Sequence, residues 1–220
     1  MWPNGSFNSL TVMTANSFSD AAATWNKRFE GDEFIFGQEP NAYLRSHAAL
    51  LAPAGRVLCV ADGEGRNSVW LAAQGHRVDA FDIAELGVAK ARKLAAAAGV
   101  TVNYSVADCD GWAWPEAAYD AVVAIFVQFA DPAMRERLFA NMVRALRPGG
   151  LLVLQGYTPR QLEYKTGGPG IESHLYTEAT LRSAFAALEI VELSDYEAEL
   201  TEGRQHHGRS ALIGMVARKR

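Results

Sequence analysis

The 220-residue chain is 49% hydrophobic and 21% charged, the make-up of an ordinary folded domain, and is long enough for one domain or one domain with an appendage. A formal net charge of −4 offers no basic field to collect phosphates, which argues against a nucleic acid partner. No apolar stretch is long enough to span a bilayer, and the N-terminus lacks the basic start and apolar core of a signal peptide. The two cysteines form neither a disulfide framework nor a metal pattern, so a cytoplasmic protein without a membrane partner is expected.

Residues 1–17 are rich in Asn, Ser and Thr with no period and read as a flexible N-terminal arm, leaving 18–220 as the domain. A helix is predicted near 19–29, with Trp25 and Phe29 at helical spacing, then a loop DEFIFGQEPN and a helix near 40–51. The apolar run 57–61, bounded by glycines, reads as a parallel strand covered on both faces. Gly63 and Gly65 allow a tight turn and leave room for a ligand against the main chain; Asn67 and Ser68 are candidate caps for the next helix, which Gly75 ends. A second strand ends at Asp82, seventeen residues past Gly65, where a carboxylate suits a ribose diol.

Strands and helices then alternate. A helix over 84–98 stops at Gly99, a strand over 101–106 leads to Asp108, and a buried strand covers 119–126. Asp131 caps and Pro132 opens a helix to Leu146, RPGG breaks it, and a strand covers 151–157. After an irregular stretch with Gly167, Gly168, Pro169 and Gly170, Thr177 caps a helix expected to reach Leu188. The last two strands are joined by a short loop over 201–208, too short for a parallel crossover, so they form an antiparallel hairpin. The expected fold is α/β: a single-domain, Rossmann-like, seven-stranded sheet, mostly parallel, with a C-terminal antiparallel hairpin and helices on both faces.

The turn chemistry discriminates between cofactors. A dinucleotide site wants G-x-G-x-x-G; here Ser68 takes the third glycine position, Ala61 leads the turn, and Asp62 lies inside it. An anion beside a pyrophosphate repels it, whereas one beside the ammonium and sulfonium of S-adenosyl-L-methionine attracts them. The terminal hairpin favours the same cofactor, because a dehydrogenase domain would usually keep alternating.

On the segments WNKRF, FGQEPN, VLCVADGEGRNSVWLAAQG, VDAFDIA, LRPGG, LLVLQGYTPRQLEYKTGGP and the EG..H.G pattern at Glu202, Gly203, His206 and Gly208, the chain resembles the class I S-adenosylmethionine-dependent methyltransferases. More narrowly, it is similar to the small bacterial branch near the tellurite-resistance and thiopurine methyltransferases. The resemblance runs from about Trp25 to Lys219. It departs from the broader class at Cys59, where Asp is usual, and at Ala61, where Gly is usual, and so implies that the carboxylate function has moved to Asp62.

The resemblance implies S-adenosyl-L-methionine as cofactor, with S-adenosyl-L-homocysteine as product. The backbone around Ala61, Gly63 and Gly65 would wrap its methionine end, Asp62 would attract its cationic groups, Asp82 would take the ribose hydroxyls and Ile83 would pack on adenine. Asp108 or Cys109 would face the adenine edge, Ile125 and Phe126 would line the floor near the sulfonium, and Trp25, Phe36 and Gly37 would close over the top. His206 would be a substrate-side polar group or general base, and Tyr157, Arg160, Gln161 and Tyr164 would build the acceptor pocket.

Plainer readings stand beside these. Asp82 and Asp108 also suit strand-end turns, with Asp110 competing for the second role. Arg66 and Asn67 serve equally as helix caps or cofactor contacts, and Trp25 and Phe29 as core. Cys59 is a small buried hydrophobe, and His174 reads as a surface residue. His206 and His207 point apart on a strand and have no third ligand at metal spacing, so no metal is expected. The expected function is methyl transfer by in-line displacement to a small-molecule acceptor (a thiol, a chalcogen oxyanion or another small nucleophile) by a monomer or homodimer. A non-catalytic S-adenosylmethionine-binding protein, and less so an NAD-dependent oxidoreductase, are the alternatives.

Overall fold

Seven strands, β1 (Arg56–Val60), β2 (Arg77–Asp82), β3 (Val102–Val106), β4 (Tyr119–Ile125), β5 (Leu146–Tyr157), β6 (Leu188–Glu202) and β7 (His206–Lys219), form one sheet in the order β3-β2-β1-β4-β5-β7-β6. The structure is a computed structural model and describes residues 18–220; the arm expected over 1–17 lies outside the described residues. The pairings from β3 through β5 are parallel, and β7 runs antiparallel to both β5 and β6. The expected terminal hairpin is therefore present, with its second strand inserted between β5 and β6.

Alternation along the central strands builds two cores, one on each face. Leu58, Val60, Val122, Ala124, Leu152 and Leu154 point to one face, and Val57, Cys59, Ala121, Val123, Leu151 and Val153 to the other. Cys59 is a buried part of this packing, as its size suggests. The helices are α1 (Phe18–Arg28), α2 (Ala42–His47), α3 (Arg66–Ala73), α4 (Glu85–Ala97), α5 (Pro132–Ala145), α6 (Gln161–Tyr164) and α7 (Glu178–Ala184). Asp131 caps α5 by accepting from the Met134 N–H at 2.8 Å, and Thr177 caps α7 through Thr180 N–H at 3.1 Å.

Several boundaries differ from expectation. Asn67 and Ser68 do not cap α3; Gly65, at φ 92°, is its N-cap residue, and both polar residues lie inside the first turn. RPGG ends α5 but also belongs to β5, where the pairing shifts register between Tyr119 and Ala121. Helix α7 stops at Ala184 because the chain must already be extended at Leu188, the first residue of β6. The hairpin loop is only Gly203–Gln205, so His206 pairs with Glu202 on the ladder. The strand order reverses between β1 and β4, and a ligand crevice is expected beyond their C-terminal ends.

Candidate active site

Two adjoining cavities, of about 180 and 270 Å³, open beyond those strand ends and share Trp25, Ala61, Gly63, Phe126 and Phe129. The larger has the shape chemistry of a nucleoside site. Phe29, Phe81, Ile83 and Met134 supply apolar walls, and Asp82, Asp108 and Cys109 reach the same space. Asp82 is buried, and its two oxygens accept from the Gly63 N–H (2.8 Å) and the Ala84 N–H (2.8 Å). Burial pushes its carboxyl up to about 6, against the pull of those N–H bonds. Asp108 accepts from the amides of Asp110 (2.7 Å) and Gly111 (2.5 Å), whereas Asp110 turns away to pair with Arg137 at 2.7 Å. Of the two aspartates after β3, Asp108 is therefore the one at the cavity. Burial pushes the Cys109 thiol well up, so it stays protonated. His174, expected on the surface, lies on this cavity's wall with Nδ1 3.1 Å from the Gln128 carbonyl.

The smaller cavity continues from the turn after β1. Asp62 lies on its wall and is hydrogen-bonded by the Ser68 hydroxyl, which also meets Tyr104 Oη at 2.8 Å. Burial and the neighbouring Asp82 push the Asp62 carboxyl up to about 7, against that hydroxyl bond. Two carboxyls with raised pKa values, Asp82 buried and Asp62 half-buried, call for cations and hydroxyl donors. S-adenosylmethionine, with its ammonium, sulfonium and ribose diol, fits this donor set, and a pyrophosphate does not. Ala61 sits at φ 48°, a left-handed conformation that costs an L-residue roughly 1–2 kcal/mol. That is why glycine is the usual residue there.

The roof comes from the N-terminal segment. Trp25 stacks on Phe29 at 5.7 Å, and Phe36 closes on both, at 6.4 and 6.2 Å. Phe29 is core and cavity wall at once, whereas Trp25 is half-buried between the two cavities. Arg28 lies over the Trp25 ring at 4.5 Å and donates to Gln205 Oε1 at 3.0 Å. Glu64, buried in the turn, joins the roof to the floor: it pairs with Lys90 at 2.9 Å and accepts from the Phe36 N–H at 3.3 Å.

The far wall carries Phe126, Tyr157 and His206. Phe126 is held at φ 57°, an outlier for a bulky residue, with its N–H on the Gln155 carbonyl at 2.8 Å. This conformation stacks its ring on Tyr157 (4.7 Å) and sets it edge-on to His206 (4.2 Å). Gln128 clamps Tyr157 from both sides, accepting from its N–H at 2.6 Å and donating to its carbonyl at 2.9 Å. Tyr157 Oη and His206 Nδ1 are both buried without a hydrogen-bond partner among the described residues. Burial, with the charges of Arg66 and Arg28, drives the His206 imidazolium down to about 3, so the ring is neutral at neutral pH.

The structure thus brings Phe36, Gly37, Ala61, Asp62, Gly63, Arg66, Asn67, Ile125, Phe126, Tyr157 and His206 to the smaller cavity. Trp25, Asp82, Ile83, Asp108 and Cys109 line the larger one. Four expected residues line neither. Gly65 packs behind the turn against Ala91. Arg160 pairs with Glu197 at 2.5 Å, and Tyr164, half-buried, lies beside Arg160 and Arg209. Gln161 is buried but spends its amide on Ala211 N–H, Thr166 and the Gly167 carbonyl. Short helix α6 turns these side chains away, and the Gly167–Gly168–Pro169 strap behind it reaches the cavity instead. Glu64, Arg28 and Gln128 were missed; a charged residue inside a buried glycine turn was the one available signal, at Glu64. His207 is exposed, and no cluster of potential metal ligands occurs among the described residues.

This strand order, with Asp62 in the turn after β1 and Asp82 at the end of β2, is a Rossmann-like methyltransferase fold. Residues 57–150 match the family described as methyltransferase domain. A demethylmenaquinone methyltransferase of Thermus thermophilus is 35% identical over 106 residues, covering 47% of this chain and 48% of that one. A tRNA 5-carboxymethoxyuridine methyltransferase of Escherichia coli is 30% identical over 160 residues, covering 68% of this chain and 59% of its own. The chain thus spans about half the length of these relatives. Among solved structures, the N-methyltransferase NodS of Bradyrhizobium japonicum with S-adenosyl-L-homocysteine superimposes with a TM-score of 0.67 at 17% identity, over 90% of this chain and 97% of that one. The chain thus carries a methyltransferase domain over residues 57–150 and shares the fold of solved S-adenosylmethionine-dependent methyltransferases.

Proposed function

We propose that the protein transfers a methyl group from S-adenosylmethionine to a small-molecule acceptor held against Tyr157 and His206. The observation that carries this reading is the pair of buried, unpartnered polar atoms, Tyr157 Oη and His206 Nδ1, on the wall of the cavity that begins at Asp62. Buried polar groups are normally satisfied, so two orphans on one cavity wall call for a ligand between them. Bound there, the cofactor supplies an electrophilic methyl on a sulfonium whose leaving group is a neutral thioether.

The residues then have separable tasks. Asp82 and Asp62 orient the cofactor, the Trp25–Phe29–Phe36 roof excludes water, and Tyr157 and His206 align the acceptor, so that positioning supplies most of the rate. A neutral imidazole with a conjugate-acid pKa near 3 is poorly matched to general-base work at neutral pH. His206 therefore orients the acceptor, which favours one that ionises unaided, such as a thiol or a chalcogen oxyanion. The relative that acts on tRNA makes a polynucleotide the competing acceptor. The net charge of −4 speaks for the small molecule. We read the protein as cytoplasmic, a monomer or homodimer, with 18–220 as its catalytic domain.

The test is calorimetric titration with S-adenosylmethionine and S-adenosylhomocysteine, with NADH as control. A screen for S-adenosylhomocysteine release with thiols, chalcogen oxyanions, small phenols and bulk tRNA follows. Micromolar binding of the first two and turnover on a small nucleophile are expected. Turnover on tRNA alone refutes the acceptor class, and binding without turnover on any acceptor refutes the enzyme.

A further inference from the structure

We propose that Glu202 is a positioning residue that builds the cofactor turn and the acceptor wall as one unit, acting through Arg66 and Asn41. The role rests on the reading of the two cavities given above. Glu202 is the last residue of β6, and its side chain is 10% exposed. One oxygen lies 2.8 Å from Arg66 Nη1, at the start of α3. The carboxylate also accepts from Asn41 Nδ2 at 3.1 Å and from the Ala42 N–H at 3.0 Å. Asn41 is itself fully buried: its N–H donates to Asn67 Oδ1 at 2.9 Å, and its amide donates to Gln155 Oε1 at 2.6 Å. One carboxylate therefore ties the loop before α2, the first turn of α3 and the tip of the hairpin.

The next residue shows how closely that tip is seated. Gly203 lies at φ 74°, and a Cβ on it would fall 2.5 Å from Gly37 N, the Ile35 carbonyl oxygen and the Phe36 carbonyl carbon. The Gln205 N–H reaches the Ile35 carbonyl at 3.3 Å. The tip thus rests backbone-on-backbone on the loop that carries Phe36, whose ring lies 4.7 Å from His206. Among the described residues, Glu202 is the only carboxylate paired with Arg66. Removing its charge leaves a buried cation unpaired beside Tyr157 and His206, and a buried pair broken on one side is strongly destabilising locally.

The test uses the full chain and four proteins: wild type, Glu202→Gln, Arg66→Met and the double variant. S-adenosylhomocysteine affinity is read by calorimetry, and the His206 ring nitrogens by NMR of ligand-free protein labelled with ¹⁵N-histidine. Each single variant is expected to weaken binding about tenfold, with the double variant no weaker than either, because coupled residues are not additive. The His206 resonance is expected to move in Glu202→Gln. A loss in the double variant equal to the product of the singles, or an unchanged His206 resonance with only a lower melting temperature, overturns the proposal. If wild type fails to bind S-adenosylhomocysteine, the cofactor reading falls and the His206 resonance alone decides the role of Glu202. Should Glu202→Gln not fold, Glu202→Asp, which keeps the charge one methylene short, carries both readouts.

Discussion

The Gly63 N–H donates to Asp82 Oδ2 at 2.8 Å, so the residue that would hold the ribose also holds the turn that would hold the methionine end. Asp82→Ala removes that bond and the Ala84 bond together. Hydrogen bonds to a charged group are worth about 1.5–3 kcal/mol each, so S-adenosylmethionine affinity is expected to fall at least about a hundredfold by calorimetry. Asp82→Asn, which keeps one acceptor oxygen, is expected to lie between. Wild-type affinity in Asp82→Ala would remove Asp82 from the cofactor site.

The raised carboxyl of Asp62 links protons to cofactor binding. Burial pushes it up to about 7 from an ordinary value of 3.8, so the folded state holds the proton longer than the unfolded chain. Asp62 thus contributes stability that is complete below about pH 4 and is lost as pH rises through about 7. Cofactor binding runs the other way, because an adjacent cation favours the ionised form. S-adenosylmethionine affinity is expected to rise from pH 5 to 8, with net proton release near pH 6–7. Calorimetry in buffers of different ionisation enthalpy measures that release. A pH-independent affinity, or the same profile in Asp62→Asn, rejects the linkage.

Tyr157→Phe and His206→Leu remove the two orphan groups while preserving most of the wall. Cofactor affinity is expected to stay within about threefold of wild type, and kcat/KM for a small acceptor to fall about 3- to 10-fold per neutral hydrogen bond. The rate of S-adenosylhomocysteine release measures both. A collapse of cofactor affinity in either variant would move that residue to the methionine end.

The parts of the fold that sequence made legible are those where one local rule dominates. The run around Leu58, the Asp131-Pro132 cap and the short link after β6 each have one physical solution, and each is present. The position of Asp82 was legible too, since the alternation of strand and helix places it at the end of β2. Arg160, Gln161 and Tyr164 went astray because proximity in sequence to β5 does not say which way a four-residue helix turns its side chains. Glu64, Glu202 and Asn41 were unassigned for a related reason. Their partners lie 26 to 161 residues away, and no periodicity encodes such separations.

Gly65 shows how the turn depends on packing behind it. At φ 92° the residue occupies the left-handed region, and a Cβ would lie 2.6 Å from Ala91 Cβ and 2.8 Å from Ala91 Cα on α4. Gly65→Ala therefore adds backbone strain to a helix–helix clash, expected to cost about 2–4 kcal/mol. In a protein of this size that corresponds to a melting temperature lower by roughly 5–15 °C. Ala91→Gly in the same chain relieves part of the clash and leaves the strain, so partial recovery is expected in the double variant. Because Gly65 precedes Arg66, S-adenosylhomocysteine affinity should fall with the single substitution and return with the rescue. If stability falls while affinity is unchanged, the α3–α4 contact supports the fold alone and does not set the cofactor turn.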